Sequence, residues 1–389
     1  SLTWERIKTI DIGLDLGLLN DMVTVGFDWY QRTTNDMIAP GKALPPSVGA
    51  STPTTNSGSL RTRGWELTIN WRKQFTNDLG LYANFSIGDS KSVVTKWDND
   101  QNIGHPLSTA YAYAGQVWGD IWGFETDRYF TEADFTGKNA DGSWIYAPGV
   151  ADQTGIQTQT FVYGPGDIKF KDLDGNGVID GGKGTVDDHG DLKVIGNCLP
   201  RYEYSFHIGG TYKGFDLDLF FQGVGKRDMW TQSSFVFPEM READLAIYAN
   251  QTSYNIYEPE KGIVNISESN AFPCLYPGNE YAGNVTGLAG EGGCHNYYPQ
   301  TKYLVDMSYL RLKNVTLGYT LPVELTKKAF VQKLRFYVSC NNLFLLHKGS
   351  GDLPIDPEMN AGQGALGYGT WGRTYPTTKS WSFGLQVTF

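Results

Sequence analysis

The strongest constraint in this sequence is a two-residue alternation of apolar and polar side chains that recurs along the whole chain. Near the C-terminal end the apolar positions are Trp381, Phe383, Leu385, Val387 and Phe389, and every residue between them is small or polar. Successive side chains of a β-strand point to opposite faces. The segment 381–389 therefore predicts a strand with one apolar face and one polar face.

About nine segments show this pattern at a length of roughly ten residues, which suits a tilted membrane-spanning strand. Helical apolar spacing is nearly absent, and no stretch approaches the roughly 20 consecutive apolar residues of a membrane helix. Besides 381–389, the segments are 10–18, 23–29, 65–71, 79–87, 202–212, 215–221, 308–320 and 332–346.

Within the segment 308–320 the alternation shifts by one residue, because the apolar positions Leu310 and Leu312 are followed by Val315 and Leu317. This shift predicts a β-bulge.

The connections between these segments alternate between short turns and long loops. The predicted turns are 19–22, 76–78, 213–214 and 322–331, the last with a helical turn over 324–330. The predicted loops are polar and Gly-rich and cover about 37–60, 96–200, 230–307 and 347–378. A soluble β-sandwich has no reason to place every long loop at one end, whereas short periplasmic turns and long extracellular loops are typical of a transmembrane antiparallel β-barrel. The sequence therefore predicts an all-β barrel.

The strand count also carries an expectation. Counting back from a last strand that ends at the periplasm gives an odd number, whereas a bacterial single-chain barrel has an even number. An unpaired edge in hydrocarbon would leave backbone groups without hydrogen bonds. We therefore expect further N-terminal strands outside this sequence.

Composition excludes several classes of function. The net charge is -10 and no basic stripe is present, so nucleic acid is not an expected partner. The five histidines are scattered, and no nucleophile elbow, zinc-protease or phosphate-loop motif occurs, so we predict neither catalysis nor an organic cofactor. Cys274 and Cys294 lie in one loop and either form a disulfide or remain two thiols.

Several short motifs follow one another along the chain. They are Leu-Thr-Trp-Glu at 2–5, Phe-Asp-Trp-Tyr at 27–30, Arg-Gly-Trp-Glu at 63–66, Ser-Tyr-Leu-Arg-Leu-Lys-Asn at 308–314 and Asn-Asn-Leu-Phe at 341–344. These motifs, in this order, resemble those of SusC-like TonB-dependent transporters. The resemblance covers essentially the whole sequence and rests on many ordered matches.

The resemblance implies the C-terminal strands of a 22-stranded barrel in the Gram-negative outer membrane. Its N-terminal plug domain and TonB-binding segment would lie outside this chain. It also implies a SusD-like surface lipoprotein as partner, with a dimer of such pairs as a further option, and active import of an oligosaccharide or, less often, a peptide. The alternatives are a passive outer-membrane porin or adhesin and a secreted β-sandwich carbohydrate-binding module.

The segment 172–180 has the spacing of a calcium-binding EF-hand loop, with a glycine at its sixth position. Position twelve is Lys183, so the usual bidentate glutamate is missing, and Asp187 or Asp188 would have to replace it. The alternative is a turn whose Asp and Asn side chains bind their own backbone. The predicted ligands of Ca²⁺ or another hard cation are Asp172, Asp174, Asn176, Val178 and Asp180.

The first half of the long loop 96–200 is unusually rich in aromatic residues. Such rings could stack on the faces of a sugar in an extracellular vestibule, or they could pack the loop onto the barrel wall. The predicted ligand-binding residues in this loop are Tyr111, Tyr113, Trp118, Trp122 and Tyr129.

On the polar strand faces, we expect His207 to form hydrogen bonds and Asp216 and Asp218 to pair with basic groups.

Overall fold

The computed structural model describes most of the chain. The described ranges are 2–42, 44–140, 142–157, 161–230, 236–237, 248–275, 295–358 and 377–389. No helix in these ranges is long and apolar enough to cross a membrane.

Nine long strands form one antiparallel sheet in which each strand pairs with its neighbours in chain order. Within the described residues this order does not return on itself, so the first and last strands are the edges of the sheet. The strands are β1 (Arg6–Leu18), β2 (Val23–Pro40), β3 (Thr54–Gln74), β4 (Leu79–Trp97), β5 (Arg201–Tyr212), β6 (Phe215–Lys226), β7 (Tyr309–Thr320), β8 (Lys333–Lys348) and β9 (Ser380–Thr388).

The predicted alternation of connections is confirmed, because four short turns lie at one end of the sheet and four longer connections lie at the other. The short-turn end carries 19–22, 75–78, 213–214 and 321–332. The last of these contains the helix α1 (Val323–Thr326) followed by a 3-10 turn (Lys327–Ala329), close to the predicted helical turn. The long-loop end carries 41–53, 98–200, 227–308 and 349–379.

The first long loop is shorter than the predicted range 37–60. Strands β2 and β3 continue past that boundary, and Ile38 still pairs with Asn56. The pairing resumes after an irregularity between Thr34 and Met37, where Asp36 has a φ of 57°. Because the additional backbone groups pair with each other, the hairpin extends beyond the apolar band without leaving N–H or C=O groups unpaired. The bulge predicted in β7 is present as a register shift between Leu312 and Asn314.

The two faces of the sheet differ as the alternation predicts. Large apolar side chains on one face are solvent-exposed in the chain alone, and Phe383 on β9 reaches 83%. Cross-strand register aligns them in rows, such as Leu14, Phe27 and Leu67 on β1, β2 and β3. Among the described residues no second layer packs on this apolar face, which is the expectation for a surface whose solvent is lipid.

On the opposite, polar face, three tyrosine rings lie over glycines of the neighbouring strand. Tyr337 covers Gly384, and a Cβ at that glycine would come within 2.1 Å of the ring. Glycine therefore leaves the space into which the ring folds, an arrangement that protects the bare backbone of the strand. The other two pairs are Tyr30 with Gly64 and Tyr82 with Gly209.

The long loops fold into their own structure with short strands and two aromatic cores. The strands are Asp120–Phe124, Thr126–Tyr129, Phe135–Lys138, Trp144–Tyr146, Ile168–Phe170, Leu192–Asn197, Asp228–Met229, Ile256–Glu258, Ile263–Asn265 and Val305–Asp306. Further 3-10 turns are Pro46–Val48, Thr109–Tyr111, Glu132–Asp134, Thr154–Ile156, Ala249–Gln251, Pro259–Lys261 and His295–Tyr297. One core is built around Trp230 and Phe237, and the other around Phe124 and Phe170. The buried core of the described residues thus sits mainly at the long-loop end.

Candidate functional site

The polar face of the sheet carries charges that pair across strands. Asp216 of β6 accepts two hydrogen bonds from the Arg335 guanidinium of β8, at 2.9 and 2.5 Å. Asp218 lies 2.7 Å from Nε2 of His207 and also accepts from the Tyr82 hydroxyl. The predictions that His207 forms a hydrogen bond and that Asp216 pairs with a basic group are confirmed, and Asp218 bonds to His207 and to a tyrosine hydroxyl. A wall whose charged groups pair in this way can face water or a polar solute.

A cavity of about 470 Å³ opens on this polar face across β2 to β6. Tyr30, Glu66 and Gln222 contribute polar groups to its lining, and Phe220 contributes an aromatic ring. Pro200, at the end of the second long loop, closes one side of the cavity. The cavity combines acidic, amide and aromatic groups, a mixture suited to a polar solute with some apolar surface.

Three of the five predicted ligand-binding aromatics lie inside the loop core. Tyr113 and Trp122 are buried, and the Trp122 indole donates a hydrogen bond of 3.2 Å to the Tyr113 hydroxyl. Tyr129 is fully buried, and its hydroxyl donates to the Asn270 carbonyl at 2.9 Å. This placement supports the packing interpretation for these three residues. It also joins the loop 98–200 to the loop 227–308.

The other two predicted aromatics lie apart from that core. Trp118 is half-buried and packs on a small cluster that includes Val94 and Trp97 at the end of β4. Tyr111 is exposed. Of the five, Tyr111 therefore presents the most open surface to a ligand, and the set does not converge on one binding surface.

A groove that the sequence analysis did not identify lies between two loop hairpins, 135–146 and 256–265. Its volume is about 720 Å³. The Trp144 and Tyr257 rings on its walls are partly exposed, and their centroids are 6.0 Å apart. Lys138 and Glu258 add opposite charges to the lining. The groove exists only because these two hairpins, distant in sequence, lie side by side in the fold. The sequence signal for it was limited to Trp144 in a strand-like triplet.

The acidic segment 172–180 folds as a series of tight turns. Oxygens of Asp172 accept hydrogen bonds from the backbone amides of Gly175 and Gly177, at 2.6 and 2.8 Å. The side chain of Asn176 accepts from the Val178 amide at 2.7 Å. In the same way Asp180 accepts from the Gly182 amide, at 2.7 Å. These bonds fit the turn interpretation. Of the predicted ligands, Asp172 and Asp174 have carboxylate oxygens that lie close together.

Asp191, which was not among the predicted ligands, lies beside the acidic segment, and its two oxygens accept from the Leu173 and Asp180 amides at 2.6 and 3.0 Å. Its carboxylate oxygen lies within 4.8 Å of oxygens of Asp172 and Asp174. Asp188 instead pairs with Lys183 at 2.8 Å. Asp191 is fully buried, and burial, together with the nearby Asp174 charge, raises the pKa of its carboxyl. Three carboxylates at this spacing fit a hard cation, which prefers oxygen ligands.

The backbone explains why Asp191 reaches this point. The Asp191 amide donates to the Asp180 carbonyl at 2.9 Å, so the segment after the Lys183 turn folds back on the acidic segment. Cys294, one half of the disulfide that the sequence left open against two thiols, lies outside the described residues.

Comparison with known proteins places these features in a family context. Residues 1–187 match the family model described as TonB dependent receptor-like, beta-barrel. Over its full length the chain is 27% identical to TonB-dependent receptor P3 of Formosa agariphila and 26% identical to TonB-dependent receptor SusC of Bacteroides thetaiotaomicron, covering 34% and 32% of those proteins. The chain thus spans about a third of the length of the relatives it matches.

Solved structures share the fold. A structure of the RagAB peptide transporter superposes with a TM-score of 0.61 at 21% identity, over 99% of this chain and 36% of that one. A structure of the RagAB peptide importer in an open state gives a TM-score of 0.62 at 19% identity, over 100% of this chain and 35% of that one.

Proposed function

Because residues 1–187 match the family model of TonB dependent receptor-like β-barrels, we propose that the chain forms part of the wall and the outward-facing loops of an outer-membrane importer. In this role the apolar face contacts lipid and the polar face lines the transport path. The imported compound is a nutrient, most favourably an oligosaccharide and less favourably a peptide. The proposal assigns the chain a transport role and no catalysis.

The single observation that carries this proposal is the difference between the two faces of one sheet. Exposed Phe383 and its apolar row stand on one face, and the paired Asp216 and Arg335 stand on the other. A soluble carbohydrate-binding module would bury its apolar set against a second layer. The polar cavity beside Glu66 and Gln222 gives the transport path a place to hold a solute.

Energy-dependent uptake tests the proposal. Cells that carry the intact protein are compared with cells that lack its gene for uptake of labelled oligosaccharides and labelled peptides. We expect uptake of one class to require the gene and to stop when a protonophore collapses the proton gradient. A passive porin, the alternative, would continue to take up the solute under the protonophore. Gene-independent uptake of both classes would contradict the proposal.

We place cargo contacts in the groove between the two loop hairpins, because its aromatic rings are partly exposed while Tyr113, Trp122 and Tyr129 are buried. Rings of this kind stack on sugar faces or on peptide side chains. Trp144→Ala is expected to weaken cargo binding about tenfold, the equivalent of ~1.4 kcal/mol. The matched variant is Tyr111→Ala, which removes the exposed ring of the original set. If Tyr111→Ala weakened cargo binding and Trp144→Ala did not, the cargo contacts would lie with the originally predicted aromatic residues and not in the groove.

A surface lipoprotein of the SusD type is the proposed partner at the long-loop end. The resemblance to SusC-like transporters supports it, and the folded loops offer a structured surface rather than loose strands. Co-purification from the native host with the intact tagged protein tests this partner. Recovery of the protein without any lipoprotein would count against it.

A further inference from the structure

The short-turn end of the sheet exposes aromatic rings that continue the apolar face. Phe75 at the end of β3 and Tyr212 at the end of β5 are about half exposed. Phe330, after α1, is 90% exposed. Phe330 also has a φ of 59°, a left-handed conformation that an aromatic residue adopts with strain and a glycine would adopt freely. Neither protein packing nor backbone preference accounts for a phenylalanine at this position.

Two of these rings have an exposed lysine beside them, and exposed lysines precede the third in sequence. The Lys73 ammonium lies 5.0 Å from the centre of the Phe75 ring, and the Lys213 ammonium lies 5.3 Å from the centre of the Tyr212 ring. Lys327 and Lys328 come just before Phe330 in the last turn. Three of the four short turns therefore combine an aromatic ring with a cation.

The charge at this end is opposite to that of the whole chain. The segments 19–22, 72–79, 212–215 and 321–333 contain six basic and three acidic side chains, although the chain carries a net charge of -10. The acidic ones are Asp21, Asp78 and Glu324. The short-turn end thus carries a local net charge of +3, six basic less three acidic groups, next to the apolar face.

From these observations we infer that the short-turn end binds the headgroups of anionic phospholipids in the adjoining leaflet. The binding surface, which we term the short-turn collar, consists of Lys73, Lys213, Lys327 and Lys328 with the rings beside them. Aromatic rings are enriched at the level of the lipid headgroups, and lysines near an anionic membrane surface bind its phosphates. The collar is continuous with the lipid-facing wall, so the same leaflet covers both. The inference rests on the sheet lying in a membrane and not on the import activity.

Lipid retention measured by native mass spectrometry tests the collar. The intact protein is exchanged into mixed micelles with equal amounts of phosphatidylglycerol and phosphatidylcholine, two lipids that differ in net headgroup charge. We expect the wild-type to retain phosphatidylglycerol preferentially. The double variant Lys327→Gln with Lys328→Gln is expected to lower that preference at least about fivefold, the effect of a single lysine at an anionic surface.

The matched control is Lys42→Gln, which removes an exposed lysine at the long-loop end. It should keep the wild-type preference. A wild-type without preference, or a double variant that keeps it, would overturn the inference. If the double variant does not assemble, Lys73→Gln with Lys213→Gln serves the same test, and the same two results decide it. Because no transport is measured, these outcomes are independent of the uptake experiment.

Discussion

Single carboxylates hold the long loops together, and Asp134 shows how. It is buried and accepts two hydrogen bonds from the Arg128 guanidinium, at 2.7 and 2.6 Å. The Thr131 amide and hydroxyl donate two more, at 2.8 and 2.9 Å. Burial alone would raise the pKa of the Asp134 carboxyl, yet these bonds lower it to about 2. The charged form is therefore favoured in the folded loop.

This shift predicts how the loop responds to pH. A carboxyl whose pKa falls from 3.8 to about 2 on folding stabilises the loop above pH 3.8, and the stabilisation is lost as the pH falls through about 2. Asp134→Asn should cost at most about 2 kcal/mol at pH 7, because the Arg128 side chain is partly exposed and solvent screens the pair. Hydrogen exchange of the loop should show this difference shrinking between pH 4 and pH 2.

Asp127→Asn is the matched control, since it removes an ion pair with Lys169 whose carboxylate is 34% exposed, against 4% for Asp134. That change should alter protection of the loop by less than about 1 kcal/mol. A pH-independent difference for Asp134→Asn would contradict the assignment.

The acidic cluster makes a second prediction for single residues. If Asp172, Asp174 and Asp191 bind a cation, millimolar Ca²⁺ should raise the unfolding temperature of the loops relative to a chelator, and Asp191→Asn should remove the rise. Asp187→Asn, an exposed carboxylate of the same segment, should keep it. Equal behaviour of the two variants, or no calcium effect in the wild-type, would favour the plain turn.

At the scale of one strand, adjacent residues of β9 should tolerate charge very differently. Phe383 points to the apolar face and Ser382 to the polar face. Phe383→Arg should destabilise the assembled barrel by about 2–4 kcal/mol, the cost of arginine at the middle of a bilayer. Ser382→Arg should be nearly neutral, because its side chain meets a polar interior.

This difference is measured as the temperature at which the compact band of the intact protein disappears on a detergent gel. The two variants sit side by side on one strand, so general effects of β9 on folding cancel. Equal losses, or a greater loss for Ser382→Arg, would show that the faces are assigned the wrong way round.

At the scale of the whole molecule, the loop cores and the sheet are separate sources of stability. Trp230 is fully buried and packs against Phe237 with ring centres 5.4 Å apart. Its cluster draws residues from the loops 98–200, 227–308 and 349–358. The paired strands of the sheet do not depend on this contact, since their hydrogen bonds run between neighbours in chain order.

Trp230→Ala should therefore loosen the loops and spare the sheet. A cavity of this kind costs about 3–5 kcal/mol. We expect protease to cut the loops faster while the compact barrel band on the gel persists. Ile263→Ala, an exposed apolar residue of the same loop, should cut at the wild-type rate. Loss of the barrel band together with loop cleavage would mean that loops and wall unfold as one unit.

Sequence predicted most of the sheet because strand structure depends on near neighbours. Alternation along β9 assigns each side chain a face whatever the rest of the chain does. The bulge in β7 and the helical turn near α1 followed from the same local patterns. The extension of the β2 and β3 hairpin was missed, because neither of the two segments that pair in its outer part, 37–40 and 54–58, alternates apolar with polar residues.

By itself, then, the sequence determined the all-β architecture, the two faces of the sheet and the end at which the long loops lie, because each depends on the local order of residues. Tertiary structure alone decided which aromatic rings are buried and which carboxylate joins Asp172. The Tyr129 hydroxyl donates a hydrogen bond to the Asn270 carbonyl, and the Ile168 amide donates one to the side-chain oxygen of Asn296. Such contacts join residues more than a hundred positions apart, and only the folded loops bring their side chains within hydrogen-bond distance.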